Sequence, residues 1–229
     1  MQSGYRAPRR LLQCTGWGCS SALLLLFAAA LVQAAVPTAV VRTKPAQQRT
    51  VLVMGDSLSA AYGLAPSQGW VALTGARLAH DKPGWRLVNA SISGETSAGG
   101  AARVVREVVL HRPAVVVIAL GSNDGLRGLP LRQTRTNLAR MIGAAHGIGA
   151  KVLLVGMRMP PNYGAAYTRE FERSFPQLAQ RFDTALLPFL LEPIARDRNA
   201  FQEDTLHPVA GVQPALRDHV WKALAPLLE

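Results

Sequence analysis

Cysteine is almost absent from this chain of 229 residues, which contains only Cys14 and Cys19. Both lie within the first 34 residues, a segment whose composition predicts a leader that is removed. A mature chain without cysteine has no disulfide, no thiolate metal site and no cysteine nucleophile. An oxidising compartment would therefore form no disulfide in the mature chain.

Runs of five or more basic residues are also missing, although the chain is strongly basic. The formal net charge is +11, and about +8 remains without the first 34 residues, which hold three arginines and no acid. No helical segment combines a one-sided basic stripe with interleaved aromatic residues, so nucleic acid is not an expected partner. The charge indicates either a solvated basic surface or, as we expect, peripheral contact with an anionic membrane surface.

The first 34 residues have the three-part layout of a secretory signal peptide. Three arginines form a basic start, the run 20–32 (SSALLLLFAAALV) is apolar, and Val32-Gln33-Ala34 offers small or short residues for cleavage. The apolar run is shorter than the roughly 20 residues that span a bilayer comfortably. We therefore expect a cleaved signal peptide and a periplasmic or secreted protein. An uncleaved anchor stays open, because the uncharged stretch 11–41 is long enough to permit one.

The remaining chain predicts one domain, 50–229, after a polar, proline-bearing linker over 35–49. Short apolar runs alternate with helical patterns of about 15 residues. This alternation predicts a three-layer α/β/α sandwich with a mostly parallel central sheet. The predicted strands are 51–55, 85–89, 114–120, 151–155 and 185–187, and the predicted helices are 67–80, 97–111, 131–148, 167–182 and 214–228.

Ser57 stands two residues beyond the first predicted strand, after a glycine that allows a tight turn. The active site of such a sheet lies beyond the carboxyl ends of its strands. If a helix begins soon after Ser57, its backbone N–H groups could stabilise an oxyanion. The ordinary alternative is a serine that caps this helix, and Ser57 taken alone favours that alternative.

A serine hydroxyl needs a base to accept its proton. His207 lies in a polar loop, with Asp204 three residues before it, whereas the other four histidines lie on predicted helices. One turn of chain can bring the Asp204 carboxylate to the imidazole Nδ1–H and leave Nε2 facing Ser57. Pro208 restricts the backbone of His207. The alternative is a capping aspartate beside an incidental histidine.

Gly94 and Asn123 each follow a predicted strand, so they face the same edge of the sheet as Ser57. Gly94 can present an unobstructed backbone N–H, and Asn123 a side-chain NH₂, as oxyanion donors. Either residue could equally serve turn geometry alone. Taken together, four weak signals at consistent strand ends indicate a serine hydrolase.

The ordered set resembles the SGNH or GDSL hydrolase family. The first family block matches Gly55-Asp56-Ser57-Leu58-Ser59, and the second matches Gly94. The third matches Gly121-x-Asn123-Asp124, and the fifth matches Asp204-x-x-His207. Further segments, among them 89–94, 123–128, 161–164 and 186–189, are similar to the bacterial periplasmic thioesterase, lysophospholipase and arylesterase branch. Ser122 departs from the glycine that many members have.

The resemblance implies a flavodoxin-like fold and hydrolysis of acyl esters or thioesters without a metal or cofactor. By the family pattern, Ser57 attacks the acyl carbonyl, His207 is general base and then general acid, and Asp204 orients His207. The oxyanion donors are the Ser57 N–H, the Gly94 N–H and the Asn123 amide. The expected substrate is a small-molecule or lipid acyl ester, and the expected state is a monomer.

The segment 157–164 (MRMPPNYG) follows a strand at the same edge and predicts an apolar, adaptable wall for an acyl chain. We expect Met159, Pro160 and Tyr163 to contact the substrate, although ordinary core packing explains the methionines as well. Two other functions stay open. One is a carbohydrate acetylesterase on the same fold, and the other is a catalytically silent binding protein.

Overall fold

The computed structural model describes residues 48–229. The predicted signal peptide, the alternative anchor and nearly all of the predicted linker lie outside these residues. The first strand begins at Arg49, which is the last residue of the predicted linker. Within the described part of the chain, no helix has both the length and the apolar character needed to cross a membrane.

Residues 48–229 form one sheet of five parallel strands in the order β2-β1-β3-β4-β5. This order is the flavodoxin-like variant of a doubly wound fold. The strands are β1 (Arg49–Gly55), β2 (Trp85–Asn89), β3 (Val115–Ala119), β4 (Lys151–Val155) and β5 (Ala185–Leu187). The prediction of a mostly parallel three-layer sandwich is therefore confirmed.

Helices cover both faces of the sheet. They are α1 (Trp70–Asp81), α2 (Ser97–His111), α3 (Ser122–Leu126), α4 (Leu131–His146), α5 (Ala165–Phe182) and α6 (Gln213–Leu224). The short helix α3 was not predicted, because five residues show too little periodicity. The predicted start of α1 at Ser67 is wrong, since Pro66–Gln68 forms a separate 3₁₀ turn before Gly69.

Strand β1 shows how the sheet divides the core in two. Val51 and Val53 pack with the side chains of α1 and α6 on one face. Leu52 and Met54 pack with α2, α4 and α5 on the other face. Because alternate residues of a strand point to opposite faces, the unbroken apolar run of β1 fills both cores.

The carboxyl ends of the parallel strands meet at one edge of the sheet, which we call the active edge. The loops after β1 and β2 leave from this edge and contain Ser57 and Gly94, and the short helix α3, which follows β3 there, contains Asn123. The loop before α6 contains His207. The fold thus gathers four polar segments from distant parts of the sequence.

Candidate active site

Ser57 lies in a turn that follows β1, not at the start of a helix. The carbonyl of Asp56 accepts hydrogen bonds from Ser59 N (3.1 Å) and Ala60 N (2.9 Å), and the turn ends at Ala61, whose φ is 59°. The helix that the sequence suggested soon after Ser57 does not follow this turn, because the chain reverses in the left-handed region. The nearest helix in sequence, α1, begins at Trp70.

Asp56, not Ser57, caps this turn. Its Oδ1 accepts a hydrogen bond from Leu58 N at 3.1 Å, and its Oδ2 accepts one from the Ser122 hydroxyl. The first bond satisfies a free N–H of the turn, which leaves the Ser57 hydroxyl available. Gly55 is required here by close packing, since a Cβ at this position would lie 2.4 Å from Ser59 Oγ.

The hydroxyl of Ser57 is hydrogen-bonded to His207. The distance between Ser57 Oγ and His207 Nε2 is 2.8 Å, and His207 Nδ1 lies 2.6 Å from Asp204 Oδ2. Three polar side chains from two ends of the sequence thus form one continuous hydrogen-bonded series. This is the arrangement in which a histidine can remove a proton from a serine.

Asp204 is held by the backbone as well as by the imidazole. Its Oδ1 accepts hydrogen bonds from Leu206 N (2.9 Å) and His207 N (3.0 Å), around a left-handed Thr205 with a φ of 61°. Burial opposes ionisation of Asp204, but the bonds from the His207 backbone, the His207 ring and Leu206 outweigh it and lower its pKa to about 2. Asp204 is therefore a carboxylate at neutral pH.

Two contacts with Tyr62, neither predicted from the sequence, hold the histidine loop against the nucleophile turn. The side-chain amide of Gln202 donates to the Tyr62 carbonyl at 2.9 Å, while within the loop Gln202 N donates to the His207 carbonyl at 2.7 Å. The Tyr62 ring lies over the imidazole, with centroids 4.5 Å apart. Tyr62 and His207 are 145 positions apart in the sequence, and no local pattern could have paired them.

The two predicted oxyanion donors lie on chain segments that are joined by a hydrogen bond. Asn123 Nδ2 donates one hydrogen bond to the Glu95 carbonyl at 3.1 Å, which fixes the amide and leaves its second hydrogen for another acceptor. Gly94 adopts a φ of 77°, in the region that favours glycine, and its carbonyl accepts from Arg127 at 3.0 Å. A cavity opens beside Ser57, and its described lining residues include Asn123 but not Gly94.

The buried carboxylate of Asp124, the residue after Asn123, anchors this segment to two helices. Asp124 is 2% exposed and accepts hydrogen bonds from Ser97 N (2.7 Å), Ser97 Oγ (2.5 Å) and Thr134 Oγ1 (3.2 Å). Ser97 is the first residue of α2, so the negative charge lies at a helix N-terminus, where it is stabilised. Asp124 therefore joins the Asn123 loop to α2 and α4.

The bond between Ser122 and Asp56 joins two loops of the site. Asp56 is 1% exposed, and burial raises its pKa above the ordinary value, against the opposing effect of the Ser122 hydrogen bond. Ser122 precedes Asn123, so this bond connects the turn of the nucleophile to a predicted oxyanion donor. The serine that departs from the family glycine thus has a structural partner.

A cavity of about 520 Å³ opens beside Ser57, Asn123 and His207. Met159 and Pro160, two of the three residues expected to contact the substrate, line it. Tyr163, the third, is absent from the described lining residues, and its hydroxyl donates to the Leu126 carbonyl at 3.0 Å. Tyr163 thus supports the wall instead of forming it. Apolar wall residues that the sequence analysis missed are Phe189, Leu191, Ala195, Phe201 and Leu206.

Within residues 48–229, no group of three or more His, Cys, Asp or Glu side chains is arranged to hold a metal ion.

Comparison with known proteins points to the same chemistry. Residues 53–211 match the GDSL-like lipase/acylhydrolase family. The chain is 50% identical to esterase TesA of Pseudomonas aeruginosa over 189 residues, which cover 82% of this chain and 94% of that protein. It is 40% identical over 183 residues to thioesterase 1/protease 1/lysophospholipase L1 of Escherichia coli K12, covering 78% and 85% of the two chains.

An arylesterase of Vibrio mimicus is 37% identical over 174 residues, which cover 76% of this chain and 87% of that protein. Among solved structures, the crystal structure of TesA superposes with a TM-score of 0.76 at 50% identity, covering 78% of this chain and 99% of that one. The likeness therefore extends over the described domain.

Proposed function

Because this chain belongs to the GDSL-like lipase/acylhydrolase family, we propose that it hydrolyses acyl esters and thioesters with Ser57 as its nucleophile. The observation that carries the proposal is the hydrogen-bonded series from Ser57 through His207 to Asp204 at the mouth of an apolar cavity. The names of the relatives, which are esterase, thioesterase and arylesterase, support the same class of reaction.

In the first half of the reaction, Ser57 Oγ attacks the acyl carbonyl carbon while His207 Nε2 accepts the hydroxyl proton. The resulting imidazolium is stabilised by the Asp204 carboxylate, 2.6 Å from Nδ1. His207 then gives this proton to the departing alcohol or thiol, and the carbonyl re-forms as an acyl ester of Ser57. In the second half, His207 Nε2 removes a proton from water as the water oxygen attacks the acyl carbon. His207 then returns this proton to Ser57 Oγ as the bond between Oγ and the acyl carbon breaks, which releases the acid and the free serine.

The negative charge on the tetrahedral intermediate needs donors aimed at one point. We assign this role to the Ser57 N–H, the Gly94 N–H and the second amide hydrogen of Asn123. Donors held in place before the reaction cost no reorganisation when charge develops, and losing one typically reduces the rate about 10²- to 10³-fold. The fixed amide of Asn123 and the left-handed backbone of Gly94 support this assignment.

The cavity supports an acyl group larger than acetate as the substrate. Its volume of about 520 Å³ and its wall of Met159, Pro160, Phe189 and Leu191 offer burial to an aliphatic or aryl chain, with few polar groups to select one. A carbohydrate acetylesterase needs room for only two carbons at this position. The cavity thus favours a broad acyl hydrolase over that alternative.

The proposal includes export by the segment 1–34 and a periplasmic or secreted location. The support is the basic start and the uncharged apolar run of the sequence. We propose further that the protein is a monomer that contacts an anionic membrane surface peripherally, supported by its basic charge.

The test is a substrate panel. The purified protein is assayed with p-nitrophenyl esters from acetyl to palmitoyl, with acyl-coenzyme A thioesters, with lysophospholipids and with acetylated xylan. We expect hydrolysis of the first three classes, abolished by Ser57→Ala with the fold unchanged by circular dichroism. Activity confined to acetylated xylan would instead establish the carbohydrate esterase.

A further inference from the structure

Helices α4 and α5 lie side by side and enclose a groove of about 590 Å³ on the outside of the domain. Four arginines line this groove: Arg132, Arg135, Arg140 and Arg181. Helix α4 contributes three of them and contains no acidic residue. None of the catalytic residues is among the described residues that line the groove. Its positive charge is not evident from the sequence, because its two walls come from separate segments of the chain.

Most of this charge is unpaired. Glu170 forms an ion pair with Arg135 at 3.1 Å. Arg132, Arg140 and Arg181 form no ion pair with any residue of 48–229. Arginines crowded without partners repel one another, so an anion in the groove would be stabilised by several of them at once.

The opposite face of the domain has a different charge pattern. On α1 and α6, Arg77 pairs with Asp81 at 3.2 Å and with Asp218 at 2.9 Å. Arg217 pairs with Asp218 at 3.0 Å. The arginines of α1 and α6 are therefore neutralised, and Lys82 and Lys222 are the cations on or directly after these two helices that form no ion pair within residues 48–229. Helices α4 and α5 together have five such arginines within the same residues: Arg132, Arg140, Arg169, Arg173 and Arg181.

Helix α2 packs beside α4 in the same layer and adds exposed apolar side chains. Val105 and Val109 are each 62% exposed, and Leu110 is 63% exposed. Val105 and Val109 are four residues apart and share one face of the helix, with Arg106 exposed beside them. Apolar side chains next to free arginines are the combination that membrane-surface helices use.

We propose that the outer side of the α2–α4–α5 layer is a docking surface for an anionic lipid bilayer. The arginines of the groove bind lipid phosphates, and Val105, Val109 and Leu110 enter the interface between headgroups and acyl chains. The inference rests on the membrane contact included in the proposed function, and it assigns that contact to one side of the molecule.

The chemistry of the surface favours lipid over nucleic acid. No aromatic side chain lines the described part of the groove, so bases would find no stacking partner. The exposed valines and leucine would gain nothing from a hydrated phosphate backbone, whereas a bilayer interface buries them.

The experiment compares two triple variants of equal charge change. The first, Arg132→Gln/Arg140→Gln/Arg181→Gln, empties the groove of its free arginines. The second, a control on the opposite layer, is Lys82→Gln/Arg217→Gln/Lys222→Gln. All proteins keep the same N-terminal segment, so differences between them report the altered surfaces. Binding is measured with vesicles of phosphatidylcholine containing 30 mol% phosphatidylglycerol, and with phosphatidylcholine alone.

Each basic residue near an anionic surface is worth about a fivefold change in binding, so the groove variant should bind the anionic vesicles about 10²-fold more weakly. The control variant should stay within about threefold of the wild type, and neutral vesicles should bind none of the proteins strongly. A further variant, Val105→Ser/Val109→Ser, should weaken the binding that persists in high salt.

Equal losses in the two triple variants would overturn the proposal, because net charge alone would then explain binding. Tight binding of a DNA duplex that the groove variant loses, without vesicle binding, would overturn it in favour of a nucleic-acid surface. Hydrolysis of soluble p-nitrophenyl butyrate is assayed in parallel and should be unchanged in both triple variants. Vesicle binding without any hydrolysis would contradict the proposed function and leave the docking surface standing.

Discussion

Replacement of Asp204 by asparagine should impair the enzyme more than replacement by alanine. In Asp204→Asn, the two backbone N–H groups of Leu206 and His207, at 2.9 and 3.0 Å from Oδ1, require an oxygen at that position. The amide nitrogen then takes the position of Oδ2 and faces His207 Nδ1, which in the wild type lies 2.6 Å from Oδ2. Two backbone donors thus fix the orientation of the new amide.

The consequence lies in the tautomer of the imidazole. An amide N–H aimed at Nδ1 makes that nitrogen an acceptor, so the ring proton moves to Nε2. Nε2 then carries a hydrogen and cannot accept the proton of Ser57, 2.8 Å away. The corresponding tautomer error in a serine protease costs about 10⁴ in kcat, and we expect a loss of that order here.

Asp204→Ala removes the carboxylate without supplying a competing donor. The Asp204 side chain is 37% exposed, so water can reach the vacated position and accept the Nδ1–H. The productive tautomer stays available in a less ordered ring, and a loss of about 10² in kcat is expected for such misplacement.

The assay is kcat for p-nitrophenyl butyrate at pH 8, with nitrogen-15 spectra of the histidine ring to identify the tautomer. Circular dichroism shows whether each variant is folded. An alanine variant as slow as the asparagine variant, with Nδ1 protonated in both, would refute the tautomer argument.

Burial raises the pKa of Asp56, so the stability that its protonated carboxyl contributes is complete below the ordinary pKa of 3.8 and is lost as the pH rises through the folded-state pKa. The melting temperature of Asp56→Asn relative to that of the wild type should therefore rise between pH 4 and 8. A difference that stays constant with pH would contradict this. Met159→Ala deepens the cavity and should shift the p-nitrophenyl ester preference to longer chains, whereas an unchanged profile would remove Met159 from the acyl site. Gly125→Ala should shift it to shorter chains, because the new Cβ would lie 2.5 Å from Met159 Sδ and push that side chain inward. Tyr62→Ala should lower kcat about three- to tenfold with little change in KM, since the ring that packs at a tilt against His207 is lost; an equal rise in KM would indicate a substrate contact instead.

The sheet was predictable because its signals are local. The segments 85–89, 151–155 and 185–187 form strands with the predicted bounds. Strand β4 shows the reason most clearly, because a strand that is buried on both faces leaves little room for polar residues. The start of α1 was not predictable in the same way. Its first N–H, that of Trp70, is bonded at 2.9 Å to the side chain of Gln213, a partner that only the folded chain supplies.

The site likewise has features that follow from the local sequence and features that only the folded chain supplies. The relation of Asp204 to His207 follows from a separation of three residues, and the structure has the two side chains in contact. The apolar wall formed by Phe189 and Leu191 belongs to the loop after β5, which shows no periodic pattern. The unpaired arginines of the groove likewise needed the adjacency of α4 and α5, which are separate in the sequence.

The central claim is that Ser57 is the nucleophile, and an active-site-directed fluorophosphonate tests it most directly. The wild-type protein should take up one phosphonate group, peptide mapping should locate it on Ser57, and hydrolysis should stop as labelling proceeds. Folded Ser57→Ala should remain unlabelled and inactive. Labelling at another residue, or full hydrolysis by Ser57→Ala, would contradict the account.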